Sequence, residues 1–417
     1  MESIKNRPLL TLLAIGLLIA QLAGATSADE LSGAAAPRDP RLTLTEVVDA
    51  AWQHHPYVTL PAVQQEEADA LSRRARSLIG ADPAVMLRHE AARAGGGTEL
   101  REWEAGVELP LWRLGERSAS RRVGEEARRS AETSAALLRL QVAGEVRETI
   151  WTLALAQNAL ALAQTDFASA SELEAQVARR VANGDLAQTD LLLARDETLQ
   201  RRAFVQDAEL ALRHARLAYR RLTGLDALPE SIQESPAQHF PGMEEHPALN
   251  APAARAARTR AELELVTKTA GGHPVLFLGG RTIDDPVGGN VDSLQVSITF
   301  PLGSAHSDSR RAEAAVALAE SQGVLGQARR ALERMQQEET DALEAAHLAL
   351  ALAQERASVA GDSVRLARRA FDLGELPLAE YLRVRHRALT AGHEAAQREL
   401  ELQRQIARYN QALGVTL

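Results

Sequence analysis

Residues 178–195 read ARRVANGDLAQTDLLLAR, and residues 367–385 read ARRAFDLGELPLAEYLRVR. Each interrupts a long Ala/Arg/Leu helical pattern with a glycine, Gly184 or Gly374, and resumes it two residues later with a leucine, Leu186 or Leu376. Glycine accepts the left-handed backbone that ends a helix. Both stretches therefore predict a long helix that stops, turns sharply and sends a second helix back beside it. Asp185 and Glu375 open the return segments, where acidic groups suit a helix N-terminus.

The two stretches align without a gap at a shift of 190 residues, and the match continues through Arg195/Arg385, Leu199/Leu389, Glu209/Glu399, Tyr219/Tyr409 and Gly224/Gly414. Upstream, a shift of 191 pairs His55-Pro56 with His246-Pro247, Pro83 with Pro274, and VELPL at 107–111 with ITFPL at 298–302. Coincident glycines and prolines at fixed spacing mark a duplication rather than shared helical composition. Each copy reads as helix, two extended segments, a very long helix, a glycine break and another long helix. The copies span 40–224 and 246–414, with 225–245 as linker.

The first copy opens with Thr43 or Thr45 as N-cap before EVVDAAWQ and runs to about Leu78, broken by the prolines of 55–61. The second copy places NAPAARAARTRAELELVTKTA there. In REWEAGVELPL, Trp103, Ala105, Val107 and Leu109 alternate with Glu102, Glu104, Gly106 and Glu108. The twin sets Leu294, Val296, Ile298 and Phe300 against Ser293, Gln295, Ser297 and Thr299. This period of two predicts strands with one apolar and one wet surface, a pattern shared by ordinary half-buried hairpins and by membrane-barrel walls. Their partners fall at 83–92 and 274–284, with RAGGGT and DDPVGGN as turns. Four strands cannot close a barrel, so the membrane reading requires eight from a dimer or twelve from a trimer. Proline-free runs from Arg117 to Ala182 and from Ser307 to Phe371 predict helices of roughly 100 Å at 1.5 Å per residue.

The N-terminus carries Lys5 and Arg7 before an apolar run, Leu9 to Leu22, and small residues at 23–25, so residues 1–28 read as an export signal. Cysteine is absent, which removes disulfides, thiolate metal sites and a lipid-modified Cys. The formal charge of −9 argues against a general nucleic-acid surface. With only 3% aromatic residues, thin Ala/Leu seams between elongated helices are expected in place of a thick core. His54, His55, His239 and His246 lack the companion pattern of a closed metal site. No nucleophile-elbow, zinc-helix or phosphate-loop motif surrounds the Ser, His and acidic residues, so no catalytic residue, metal or cofactor is assigned. A secreted coiled-coil scaffold or adhesin is the structural alternative.

The duplicated plan resembles the TolC family of outer-membrane efflux ducts. The resemblance rests on NGDLAQTDLLLAR and LGELPLAEYLRVR, on the strand ends LPLW and FPLG, and on AYRRLTG beside RYNQALG, and it covers roughly residues 40–417. It implies a mixed α/β membrane protein. Three chains would each give four strands to one outer-membrane β-barrel, continued by a long periplasmic α-helical barrel. The implied partners are outer-membrane lipid, a periplasmic membrane-fusion adaptor and an inner-membrane pump of the resistance-nodulation-division type. Gly184, Asp185, Leu186, Gly374, Glu375 and Leu376 would form the periplasmic tip where adaptors dock. Glu380 and Asp190 stand where the family often has an acidic residue at the entrance. Where a second acid would follow, Arg383 and Leu193 stand instead; Arg383 is also placed to pair with Glu380 on one helix face. Pro110, Trp112 and Pro301 would lie at the membrane junction, with Trp112 either at the lipid boundary or buried in the joint. Residues 109–122 look closest to ducts of cobalt-zinc-cadmium efflux systems, while drug, solvent and protein-secretion ducts share the architecture.

Overall fold

The structure, a computed structural model, describes residues 37–417 apart from 94–98, 239, 241, 286–287 and 303–304. The export-signal segment and the RAGGGT turn lie outside or largely outside these residues. In chain order the elements are β1 (Arg38–Asp39), α1 (Leu44–His54), α2 (Leu60–Arg76), β2 (Ala84–Arg93), β3 (Glu99–Pro110), α3 (Glu116–Ala182) and α4 (Gln188–Thr223). There follow β4 (Leu228–Pro229), a 3-10 turn, α5 (Pro247–Thr269), β5 (Val275–Asp285), β6 (Gly289–Thr299), α6 (Ala305–Asp372) and α7 (Leu378–Ala412).

Local chemistry fixes the helix starts. Thr43 caps α1: its hydroxyl accepts from the Glu46 N–H at 3.2 Å, and the Glu46 carboxylate accepts from the Thr43 N–H at 2.7 Å, a reciprocal capping box. α2 starts afresh with Pro61 in its first turn, where the missing donor costs nothing. α5 begins three residues earlier than its sequence pattern suggested, because His246 acts as N-cap, its Nδ1 accepting from the Ala248 N–H at 3.0 Å.

α3, with 67 residues, and α6, with 68, are the long struts. Near the sheet they lie in a row with α2 and α5; toward the far end α4 and α7 take over beside them. The seams are thin, as Ala119, Val123, Ala127 and Ala131 show along the first part of α3. The thickest core lies at mid-length, where Val142, Val146, Ile150, Trp151 and Leu153 of α3 meet Val47 and Val48 of α1, Leu212 and Tyr219 of α4, and Leu228. Arg147 is buried there, with both Nε and Nη2 donating to Glu234 at 2.8 Å and Nη1 donating to the Val415 carbonyl at 3.0 Å. The Tyr219 hydroxyl donates to the Ala227 carbonyl at 2.9 Å, and burial pushes its pKa up to about 12.

The four long strands form one antiparallel sheet in the order β2-β3-β5-β6, leaving β2 and β6 as open edges. Among the described residues no helix is long and apolar enough to cross a membrane.

Candidate functional site

The sheet is inside out by the standards of a water-soluble protein. Val85, Leu87, Trp103, Val107, Leu278, Leu294, Val296 and Ile298 all share one face, and all are exposed, Leu294 at 87% and Val85 at 83%. Among the described residues no helix covers them. The opposite face carries Arg88, Glu90, Glu102, Glu104, Glu108, Arg281 and Ser297; Arg281 pairs with Glu102, and Arg88 with Glu90 at 2.8 Å. A half-buried hairpin would tuck Trp103 and Val107 under a helix, whereas a barrel wall turns them outward to lipid and keeps charge inside. The strands run ten to twelve residues, the length that a membrane-barrel strand tilted by about 40° needs for an apolar band roughly 25 Å tall. Trp103, stacked on His89 at 4.1 Å between centroids, lies toward the hairpin end of that band.

A hydrogen-bonded joint links sheet to struts. Pro110 ends β3, and its carbonyl accepts from the Gly80 N–H at 2.7 Å; the Leu111 N–H donates to the Pro274 carbonyl at 2.6 Å. Trp112 is half-buried inside this joint: its Nε1–H donates to the Ser77 carbonyl at 3.1 Å, and its ring meets His273 edge-on at 6.5 Å. Pro301 abuts Gly272, whose φ of +79° turns the chain into β5. Glu116, fully buried at the first position of α3, accepts from the Arg113 N–H at 3.0 Å and lies 3.3 Å from His273 Nδ1.

The two glycine turns lie together at the other end. Gly184 (φ +85°) and Gly374 (φ +77°) close helices α3 and α6 in the same way. The Gly184 N–H donates to Val181 and the Asp185 N–H to Arg180; the Gly374 N–H donates to Phe371 and the Glu375 N–H to Ala370, all at 2.8–3.0 Å. These are two Schellman closures. The return helices begin later than the sequence suggested, at Gln188 and Leu378, because the backbones of Asp185 and Glu375 are still engaged in closing the preceding helix. Leu186 and Leu376 pack on one shared cluster with Leu173, Val177, Ala194, Phe371, Leu378 and Tyr381, so the turns form a single tip. Arg180 lies 5.0 Å over the Phe371 ring, which stacks on Tyr381 at 5.2 Å; Arg368 donates to Gln176 at 2.5 Å and to Asp372 at 3.1 Å.

Asp190 and Glu380 stand at equivalent places but work differently. The Asp190 carboxylate accepts from the Ala187 N–H at 3.2 Å. Pro377 replaces Ala187 in the second copy and has no N–H to offer, so Glu380 turns to Arg383, with which it pairs. Leu193 remains 44% exposed beside Asp190.

Sequence reasoning missed a polar cluster between α3, α4 and α7. It borders a cavity of about 780 Å³ lined by Leu162, Phe204 and Thr390 among others. Arg201 is buried and donates to Glu197 at 2.7 Å; its Nη2 lies 3.2 Å from His386 Nδ1, and Asp166 lies 3.1 Å from His393 Nε2. In a helix this polar, Asp166 and Arg201 look like any solvated face, and only the third helix buries them. No group of three or more metal-ligating side chains occurs among the described residues.

No family model matches the chain, and no curated protein matches it. Among solved structures it is similar to the CmeC outer membrane channel of Campylobacter jejuni (TM-score 0.72, 16% identity, 90% of this chain and 86% of that one). It is also similar to the outer membrane protein VceC of Vibrio cholerae (0.71, 13%, 89% and 96%). The open state of the MtrE outer membrane channel of Neisseria gonorrhoeae gives 0.67 at 16% identity, over 94% and 95%. At these identities the likeness is one of fold: four strands and very long helices arranged as in TolC-type outer-membrane channels.

Proposed function

We propose that the chain is the outer-membrane channel component of a tripartite efflux system, conducting substrate passively from an inner-membrane pump and a periplasmic adaptor to the exterior. The observation that carries this reading is the sheet: an uncovered apolar face, a charged opposite face and two open edges, in line with struts about 100 Å long. Open edges in lipid would leave backbone donors and acceptors unsatisfied at several kcal/mol each, so β6 of one copy joins β2 of the next. Three copies give twelve strands. The struts support the same joining: α6 leaves Val316, Val324, Leu348, Leu352, Val359 and Leu366 exposed, and α4 leaves Leu192, Leu199, Leu210 and Leu217 exposed. A homotrimer covers both stripes.

In this reading residues 1–28 direct export, 40–224 and 246–414 are the two efflux repeats joined by 225–245, and the struts extend into the periplasm. The tip residues Gly184, Asp185, Leu186, Gly374, Glu375 and Leu376 meet the adaptor, while Asp190, Glu380 and Arg383 border the entrance. Pro110, Trp112 and Pro301 hold the membrane joint. A conduit acts by shape, and no residue need turn over substrate. The pump is of the resistance-nodulation-division type and the cargo heavy-metal cations, a reading supported by the resemblance of 109–122 to cobalt-zinc-cadmium ducts; organic compounds are the second cargo class.

Planar-bilayer conductance of the purified oligomer, with its mass measured in the same detergent, tests the proposal. A conducting species of three chains is expected. A soluble, nonconducting monomer would overturn it. Deleting the adjacent pump genes singly and scoring resistance to metals and to organic compounds separates the two cargo classes.

A further inference from the structure

Among the described residues seven glycines have positive φ, but Gly106 and Gly279 are not among them, so their backbones do not demand glycine. They are direct cross-strand partners on the charged face of the sheet. A Cβ built on Gly106 would stand 2.5 Å from Phe277 Cζ, and one on Gly279 would stand 2.5 Å from Cζ and 2.9 Å from Cε1 of the same ring. Phe277 shares that inner face, between Glu108 and Ser297 in the ladder, and is only 8% exposed although no other chain covers it. The ring therefore lies flat on the strands, in a bed that exists because two facing side chains are missing.

With the chain read as a duct wall, on which this step rests, we infer that Phe277 sets the free width of the barrel bore at its level, and that the Gly106–Gly279 bed keeps it wide by holding the ring against the wall. Twelve strands spaced about 4.8 Å apart and tilted about 40° give a backbone diameter of roughly 24 Å. Three parked rings cost that bore little more than their thickness. Three rings displaced from the wall project their full length toward the axis from positions a third of a turn apart. A methyl at Gly106 forces the ring off, since it cannot stay within 3 Å of a Cβ, and also presses on the Gly279 Cα at 2.7 Å, so the strands give slightly as well.

The chain has no cysteine, so single-cysteine labelling is clean. Ser297→Cys places a thiol in the bore across from Phe277, and Val296→Cys places one on the outward face. Oligomer in lipid vesicles is treated with a small charged methanethiosulfonate and with a maleimide-capped polyethylene glycol. Ser297→Cys is expected to react with both and Val296→Cys with neither; equal labelling of the two positions by the small reagent would sink the duct reading itself. Adding Gly106→Ala to Ser297→Cys should leave the small reagent unaffected and slow the bulky one about tenfold, as a narrowed pore does. Adding Phe277→Ala as well should restore it. If Gly106→Ala prevents assembly, seen as loss of the heat-modifiable oligomer, Phe277→Trp on intact glycines gives the same readout, because the larger indole overruns the bed. Unchanged bulky labelling in both Gly106→Ala and Phe277→Trp, or a slowing in Phe277→Trp that Phe277→Ala on intact glycines shares, overturns the inference while leaving the duct intact.

Discussion

Replacing Gly184 or Gly374 isolates a backbone effect, because a Cβ at either position meets nothing within 4 Å. The whole cost then comes from holding an L-residue at φ +85° or +77°. That is about 1–2 kcal/mol for alanine, less for asparagine, whose short polar side chain tolerates the left-handed region, and more for a β-branched residue. The expected order of damage is Asn, Ala, Val. One closure distorted by about 1.4 kcal/mol opens tenfold more often, and amide exchange at Asp185, Glu375 and the first turns of α4 and α7 should quicken by that factor. The four-stranded sheet lies a strut's length away, so the proposed barrel should assemble normally. In the proposed homotrimer each substitution is present three times, so affinity for the proposed adaptor should fall by at least the single-site factor. Hydrogen-exchange mass spectrometry of the oligomer, with the heat-modifiable band as the assembly control, reads both effects. Gly374→Asn as harmful as Gly374→Val, or either variant losing the barrel while keeping tip protection, would refute the backbone argument.

His246 is buried, and burial lowers its pKa, so the folded protein holds a neutral ring whose Nδ1 accepts from the Ala248 N–H. The unfolded chain binds the proton more readily, so this stabilisation is complete above an ordinary histidine pKa of about 6.5 and is lost as pH falls below it. Thermal unfolding should be steeper on the acid side in the parent than in His246→Asn, which keeps an acceptor at the cap but cannot titrate. Arg147→Met should cost about 3–5 kcal/mol by stranding the buried Glu234 charge, and Arg147→Met/Glu234→Leu should recover most of it. A double variant no more stable in a thermal melt than the single one contradicts this. Asp190→Ala should loosen the start of α4 by about 1 kcal/mol, as the loss of a capping interaction does. Glu380→Ala, which breaks only an exposed pair, should leave the protection of α7 amides unchanged.

The duplication, the two glycine closures and the alternation in REWEAGVELPL were legible because each is a local demand written at fixed spacing. The direction of the sheet's apolar face was not. A period of two says that Trp103 and Glu104 part company, but only the placement of the helices says which one stays uncovered. The Asp166–Arg201 cluster was invisible for a related reason: its burial is supplied by α7, whose His386 lies 185 residues beyond Arg201. The late starts of α4 and α7 follow from backbone bonds of the Schellman closures, which outrank the preference of Asp185 and Glu375 for a helix N-terminus.

The differences between the copies show what a doubled chain gains over two identical ones. Glu67 and Arg258 occupy the same position in the two repeats at the shift of 191, and in the folded chain they bond to each other in a two-pronged pair at 2.6 and 3.2 Å. The guanidinium holds the Glu67 carboxyl below the usual carboxylate range. A ring of identical single repeats would set Glu beside Glu or Arg beside Arg at this contact, with repulsion where there is now attraction. The same freedom appears at the tip, where Pro377 in place of Ala187 releases Glu380 from capping and hands it to Arg383. It appears again in the sheet, where the ring of Phe277 in the second repeat needs Gly106 from the first. Fusion lets neighbouring repeats become complementary rather than merely alike, in the strut contact of Glu67 with Arg258, in the glycine-turn end and in the sheet.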